Sequence, residues 1–237
     1  SQCFPLYLYD DESSLSDDVG FLNATEKKRK HGISDEGLNY FSSHLNDMAI
    51  TKEDVFYYLY GLLHSQDYRN RYSDNLTKEL PRIPCVKNIN DFWAFSDAGR
   101  KLAGYHLNYE TVEPYKANID TGLISYSQLG KDDFYVEKMK FARKGEKDTV
   151  IYNNKIRIKN IPIEAYDYIV NGKPALEWVM DRQGVSMHKD SEIVNDANDW
   201  AIEKMNNPRY PLELFLRVIT VSLETQKIVN SLPKLDI

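Results

Sequence analysis

The stretch Glu137-Lys-Met-Lys-Phe-Ala-Arg-Lys-Gly-Glu-Lys-Asp-Thr-Val-Ile-Tyr-Asn-Asn-Lys-Ile-Arg-Ile-Lys159 decides the fold, because the spacing of apolar residues changes here from a helical period to alternation. Around Tyr135, Lys138 and Lys140, then from Thr149 to Tyr152 and from Lys155 to Lys159, polar and apolar side chains interleave in short runs. That is the pattern of half-exposed strands. Asn153-Asn154 falls between two of the runs, and asparagine tolerates the left-handed backbone of a tight turn. A small antiparallel sheet is therefore expected. It lies where positive charge collects: residues 131–160 carry nine Lys and Arg against five acids, a net of +4 in a chain whose total is −6.

Upstream the period is helical. From Ser34 to about Met48, Leu38, Phe41 and Leu45 recur at spacings of three and four. Thr51 with Asp54 resembles a capping box, opening a helix faced by Val55, Phe56, Leu59, Leu62 and Leu63. Ser65 caps a third helix, from Asp67 to about Lys78, which the Pro81-Arg-Ile-Pro84 segment stops, and a fourth runs from about Asn90 to Leu107. Gly99 and Gly104 inside it are explained by packing. Downstream, helical spacing returns from Pro162 through Tyr166, Ile169 and Val170, then Leu176, Val179 and Met180, and Pro211 opens a long helix. Asn195 to Trp200 reads as a turn capping the helix after it. The expected fold is α+β: an N-terminal helical bundle, a small antiparallel β-sheet in the middle and C-terminal helices. Three stretches are expected: 1–33, extended and then an acidic and basic loop; 34–110, the bundle; and 111–237, an α/β part with the long C-terminal helix.

Composition excludes several function classes. At 42% hydrophobic and 28% charged the chain can bury a core. No window nears the roughly 18 unbroken apolar residues of a membrane span, and no signal sequence opens the chain, so a cytoplasmic location is expected. The chain starts at Ser1 inside an extended apolar stretch and reads as a piece of a longer polypeptide. Cys3 and Cys85 are too few and too far apart for a disulfide framework or zinc cluster, and buried thiols are expected. His31, His44, His64, His106 and His188 form no metal-ligand pattern. His64 and His106, on aromatic-rich helices, read as hydrogen-bonded interface residues. Nucleophile-elbow, phosphate-loop and dinucleotide fingerprints are missing from the sequence, and the acidic run Asp10 to Asp18 lacks the glycine and terminal glutamate of a calcium loop. No catalytic or metal-binding residue is expected.

One constellation points to a partner. Basic residues interleaved with Phe141 and Tyr152 on strands suit a DNA groove, where Arg and Lys bond guanine edges or phosphates. The same pattern also suits the solvated face of a sheet. An overall acidic chain meets a polyanion locally, at this segment, not over its whole surface.

Pro5-Leu-Tyr-Leu-Tyr9, Ile50 to Ser65, Tyr68-Arg-Asn-Arg-Tyr72 with Leu80 to Pro84, Phe92 to Leu102 with Leu107-Asn-Tyr-Glu110, Tyr166 to Trp178, Asn195 to Trp200 and Arg217 to Asn230 together resemble the C-terminal region of type ISP restriction-modification enzymes. The resemblance implies a parent with nuclease, ATP-driven translocase, adenine-specific DNA methyltransferase and terminal target-recognition parts. Residues 1–33 then include an edge of the methyltransferase. S-adenosylmethionine, ATP and Mg belong to upstream domains, and this piece needs no cofactor of its own. The piece would be a non-catalytic module that positions duplex DNA for methylation and cleavage, since a methyltransferase must flip its adenine while a companion holds the duplex in register. Lys138, Lys140, Arg143, Lys144, Lys155, Arg157 and Lys159 are the expected DNA contacts, with Arg69, Arg71 and Arg82 in second rank. The alternative is a coupling module whose helices, above all 51–64 and 211–231, dock the methyltransferase and translocase without reading bases.

Overall fold

The computed structural model describes residues 3–9 and 29–237. The acidic run from Asp10 to Asp18 and the Lys27-Lys28 pair lie outside them. The chain divides into two units, one comprising the residues up to Ala103 with Ser231–Ile237, the other Gly104–Asn230. Helices and small antiparallel sheets make the fold α+β, as the periodicities predict.

In the first unit a hairpin pairs β1 (Tyr7–Tyr9) with β2 (Arg29–His31). Helix α1 (Asp35–Leu45) starts at Ser34, whose hydroxyl accepts from the Gly37 amide. Helix α2 (Lys52–His64) starts with the expected capping box: the Asp54 carboxylate accepts from the Thr51 amide at 2.9 Å while the Thr51 hydroxyl accepts from the Asp54 amide at 3.2 Å. The anticipated third helix breaks at Tyr72 into α3 (Gln66–Arg71) and α4 (Ser73–Leu76). Helix α5 runs from Ile89 to Leu107. Phe41, Val55, Tyr58, Leu62, Phe92 and Phe95 form the core, with Tyr58 and Phe92 stacked at 4.9 Å. Two glycines allow α2 and α5 to approach backbone to backbone: a β-carbon on Gly99 would stand 1.9 Å from the Tyr57 carbonyl oxygen, and one on Gly61 2.2 Å from that of Phe95. A β-carbon on Gly104 would meet nothing within 4 Å, so packing does not explain that glycine. The Pro81–Pro84 segment is fastened by Tyr58 and Tyr68, which donate to the carbonyls of Pro84 and Arg82. Cys85 is half-buried, and burial pushes its thiol pKa up, but Cys3 is exposed, contrary to expectation.

The second unit is built on a four-stranded antiparallel sheet: β3 (Asn118–Asp120), β6 (Arg157–Lys159), β5 (Glu146–Ile151), β4 (Lys140–Arg143), in that spatial order. Tyr135, Lys138 and Lys155 lie just outside strands. The turn after β5 does use Asn153, though not through a left-handed backbone: its side-chain oxygen accepts from the amides of Lys155 and Ile156. After a 3-10 turn at Ile163–Tyr166, Ile169 and Val170 form strand β7, paired with β8 (Lys173–Pro174), although their spacing predicts helix. Then come α6 (Ala175–Arg182), a two-stranded ribbon of β9 (Val185–Met187) and β10 (Val194–Asp196), α7 (Ala197–Glu203) and α8 (Tyr210–Asn230). Leu212, Phe215 and Ile219 of α8 share one core with Leu176 of α6 and with Val150 and Ile158 of the sheet.

Candidate nucleic-acid interface

Strand register sorts the basic segment into two faces. Phe141, Val150, Ile158 and Ile119 lie opposite one another across β4, β5, β6 and β3; Val150 and Ile158 are fully buried. The next row is Lys140, Ile151, Arg157 and Asp120. Because successive side chains on a strand point to opposite faces, this second row looks outward. Lys140 and Arg157 are exposed and stand two strands apart, roughly 10 Å at the usual strand spacing. The buried row is what holds them there: the packing of Val150 and Ile158 fixes the register, and a slip of one residue would turn both cations inward.

Hydrogen bonds and ion pairs divide the seven expected contacts. Lys155 pairs with Asp133, Lys159 with Asp120 at 2.6 Å, and Arg143 with Glu146 at 3.6 Å. The Lys155 hydrogen bond first, then the Gly130 amide, holds the Asp133 carboxyl below the usual range; Lys159 and the Gly122 amide do the same for Asp120. Lys138, Lys140, Lys144 and Arg157 are exposed, and none of them makes an ion pair among the described residues, although Arg157 feels the field of Asp120. These four are the cations with charge to offer a partner. The second-rank arginines belong to the other unit. There Arg82 pairs with Glu79 at 3.2 Å, Arg69 donates to the Leu63 carbonyl at 2.8 Å, and Arg71 lies 6.0 Å from the Tyr72 ring.

The remaining expected groups are structural. His64 bonds the Tyr60 carbonyl at 2.8 Å, and burial lowers its pKa. His106 bonds the Thr225 hydroxyl at 3.0 Å and stacks on Tyr168. Among the described residues no group of His, Cys, Asp or Glu is placed to hold a metal ion, and no helix is long and apolar enough to cross a membrane. Sequence reasoning missed the β9–β10 ribbon, whose strands of three residues are too short for alternation to register. The signal available was Gly184 before it and the charged tip from His188 to Glu192.

Comparison with known proteins bears on the family. The family model for the Type ISP C-terminal specificity domain matches residues 1–214. No curated protein matches the chain. Among solved structures, an ATP-dependent Type ISP restriction-modification enzyme, LlaBIII, bound to DNA is 36% identical over 98% of this chain, with a TM-score of 0.79. A nuclease-deletion mutant of the Type ISP enzyme LlaGI in complex with a DNA substrate mimic is 43% identical over 79% of the chain (TM-score 0.69), and a DrdV–DNA complex 30% identical over 89% (TM-score 0.72). The chain spans 14%, 14% and 21% of those three proteins. Matching sequence and matching fold over nearly the whole length lead to one conclusion: the chain belongs to the Type ISP C-terminal specificity domain family.

Proposed function

We propose that this chain is the target-recognition part of a larger cytoplasmic restriction-modification polypeptide. It grips duplex DNA and sets its register for adenine methylation and cleavage by other domains of the parent. In that parent S-adenosylmethionine, ATP and Mg serve the other domains, and this part contributes no catalytic group. The observation that carries the reading is the outward row with Lys140 and Arg157, flanked by Lys138 and Lys144, all without ion pairs among the described residues in a chain of net charge −6. A free cation gains most from a phosphate, since binding releases condensed counterions without breaking an existing pair.

The test compares two variants of the chain by measuring duplex affinity against salt. Replacing Lys138, Lys140, Lys144 and Arg157 by Ala removes the free cations. Each lost phosphate contact lowers the slope of log K against log salt by about 0.9, roughly 3.6 for four. Replacing Arg143, Lys155 and Lys159 by Ala, by contrast, removes cations already paired, and the slope should fall by less than about one unit. An unchanged slope in the first variant would refute the reading.

The second reading, docking of neighbouring domains, has an observation of its own. Phe56, Leu59, Tyr60 and Leu63 of α2 line an apolar groove of about 520 Å³ with Phe4, Leu8 and Leu80. Helix α8, in contrast, commits its apolar face to the core of its own unit. No binding of any duplex by the isolated chain at low salt would favour coupling over recognition.

A further inference from the structure

The β9–β10 ribbon is unusual in having no core. Every residue from Ser186 to Asn195 is exposed, on both faces, including Met187 at 63%, Ile193 at 60% and Val194 at 58%. A lone two-stranded hairpin is marginally stable in water, and exposed apolar residues on both faces add to its cost. Yet its root is firmly built. The Val185 amide donates to the Glu137 carbonyl at 2.8 Å, and the Ala197 amide donates to that of Gly184 at 3.1 Å. Buried Asn198 accepts from the Val136 amide and donates to the Val136 carbonyl, both at 2.9 Å. Gly184 permits this close seating, because a β-carbon there would stand 2.6 Å from the Glu137 carbonyl oxygen. The ribbon thus springs from residues 136–137, directly beside unpaired Lys138 and two residues further Lys140.

We propose that residues 185–196 are a finger that enters the major groove of DNA and reads base edges there. The inference rests on the DNA-recognition reading above and assigns the sequence discrimination to specific residues. Three observations single out this occupant. A flat protein surface would cover one face of the ribbon, whereas groove walls cover both. From Val185 to His188, where the hairpin closes, the ribbon reaches roughly 10 Å, and the major groove, about 12 Å wide and 8.5 Å deep, admits a two-stranded ribbon. Lys138 follows directly on Glu137, whose carbonyl anchors the ribbon, so a cation without an ion pair among the described residues stands at the root to meet a phosphate beside an occupied groove. The tip itself, with Lys189 against Asp190 and Glu192, carries no excess of positive charge, so its contribution is contact with bases and not attraction to phosphate.

Register assigns the contacts. Met187 faces Val194 across the ribbon and Ser186 faces Asn195, so the two pairs look to opposite faces, with exposed Ile193 on the side of Asn195. A thymine methyl group suits the first face; the side-chain amide of Asn195 suits the paired donor and acceptor of adenine.

The experiment is selection of bound sequences from a pool of random duplexes. It uses the chain itself, the variants Asn195→Ala and Met187→Ala/Val194→Ala, and the four-cation variant described above. Because the altered strand residues are exposed, the variants should melt at the temperature of the parent chain, which is checked first. The expected result is that the ribbon variants lose about ten- to hundredfold of the discrimination at an A·T position, with affinity for random duplex and its salt slope unchanged. The four-cation variant should do the reverse, losing affinity for all duplexes alike. An enriched sequence that is the same for parent and ribbon variants overturns the finger and leaves DNA binding standing. Failure of the unaltered chain to bind any duplex overturns both. If the ribbon variants keep their sequence preference but lose association with the rest of the parent polypeptide supplied in trans, the ribbon docks protein and the inference is overturned.

Discussion

Replacing Gly99 by Ala tests the packing of the first unit, and Gly104, five residues along the same helix, supplies the control. In both positions alanine favours the helix over glycine by up to about 1 kcal/mol. At Gly104 nothing opposes this gain, so Gly104→Ala should stabilise by roughly 0.5–1 kcal/mol. At Gly99 the new methyl would overlap the Tyr57 carbonyl oxygen at 1.9 Å and the Gly61 amide nitrogen at 2.9 Å. Both are backbone atoms with no alternative rotamer, so α2 and α5 must part by about 1.5 Å to reach van der Waals contact. The separation would loosen Tyr58, Phe92 and Phe95, none of which has any exposed surface. Overpacking costs about 1–3 kcal/mol when side chains can yield; with backbone on both sides the upper figure applies, leaving a net loss near 2 kcal/mol. Urea unfolding followed by circular dichroism and tryptophan fluorescence should show the Gly99→Ala midpoint lowered by roughly 1 M and the Gly104→Ala midpoint raised. Shifts of both midpoints in the same direction, or an unchanged Gly99→Ala, would refute the close-approach argument.

Asp54 is desolvated, which alone would raise its pKa, but hydrogen bonds from Thr51 and Arg100 outweigh this and hold it below the usual 3.8. A depressed carboxylate stabilises the fold above its unfolded-state pKa and loses that contribution as pH falls through the folded value. Stability of the first unit should therefore drop below about pH 4, and Asp54→Asn, costing about 1–2 kcal/mol at neutral pH through the weakened cap, should flatten that acid limb in unfolding measured against pH. Asn198→Ala leaves the amide and carbonyl of buried Val136 without partners, so thermal melting should show a loss of about 1–3 kcal/mol; Asn198→Asp, which keeps only the acceptor, should not restore it. Thiol labelling at neutral pH should modify exposed Cys3 rapidly and half-buried Cys85 slowly, and equal rates would contradict the burial described for Cys85.

Local signals are legible in the sequence. Thr51 with Asp54 marks the start of α2 because a capping box involves residues three apart, and the alternation from Lys140 to Lys159 marks three strands because one face is buried. Signals that depend on distant partners are not. Strand β3 has only Asn118, Ile119 and Asp120, and its identity comes from pairing with β6, some forty residues on. Ile169 and Val170 keep helical spacing to Tyr166 but follow a 3-10 turn and pair with Lys173 and Pro174. At the interface, the charge sum of +4 does not distinguish among the seven expected contacts. Which of them are free depends on where Asp133, Glu146 and Asp120 stand in space, and Asp120 lies outside the summed segment.

The root of the β9–β10 ribbon is made of backbone hydrogen bonds and one buried amide, none contributed by residues 186–195. Side chains in that stretch are therefore exchangeable at little cost to the fold, whose core lies elsewhere. A lineage can thus explore new sequences at the tip while the scaffold stays fixed, which uncouples the drift of binding preference from the risk of unfolding.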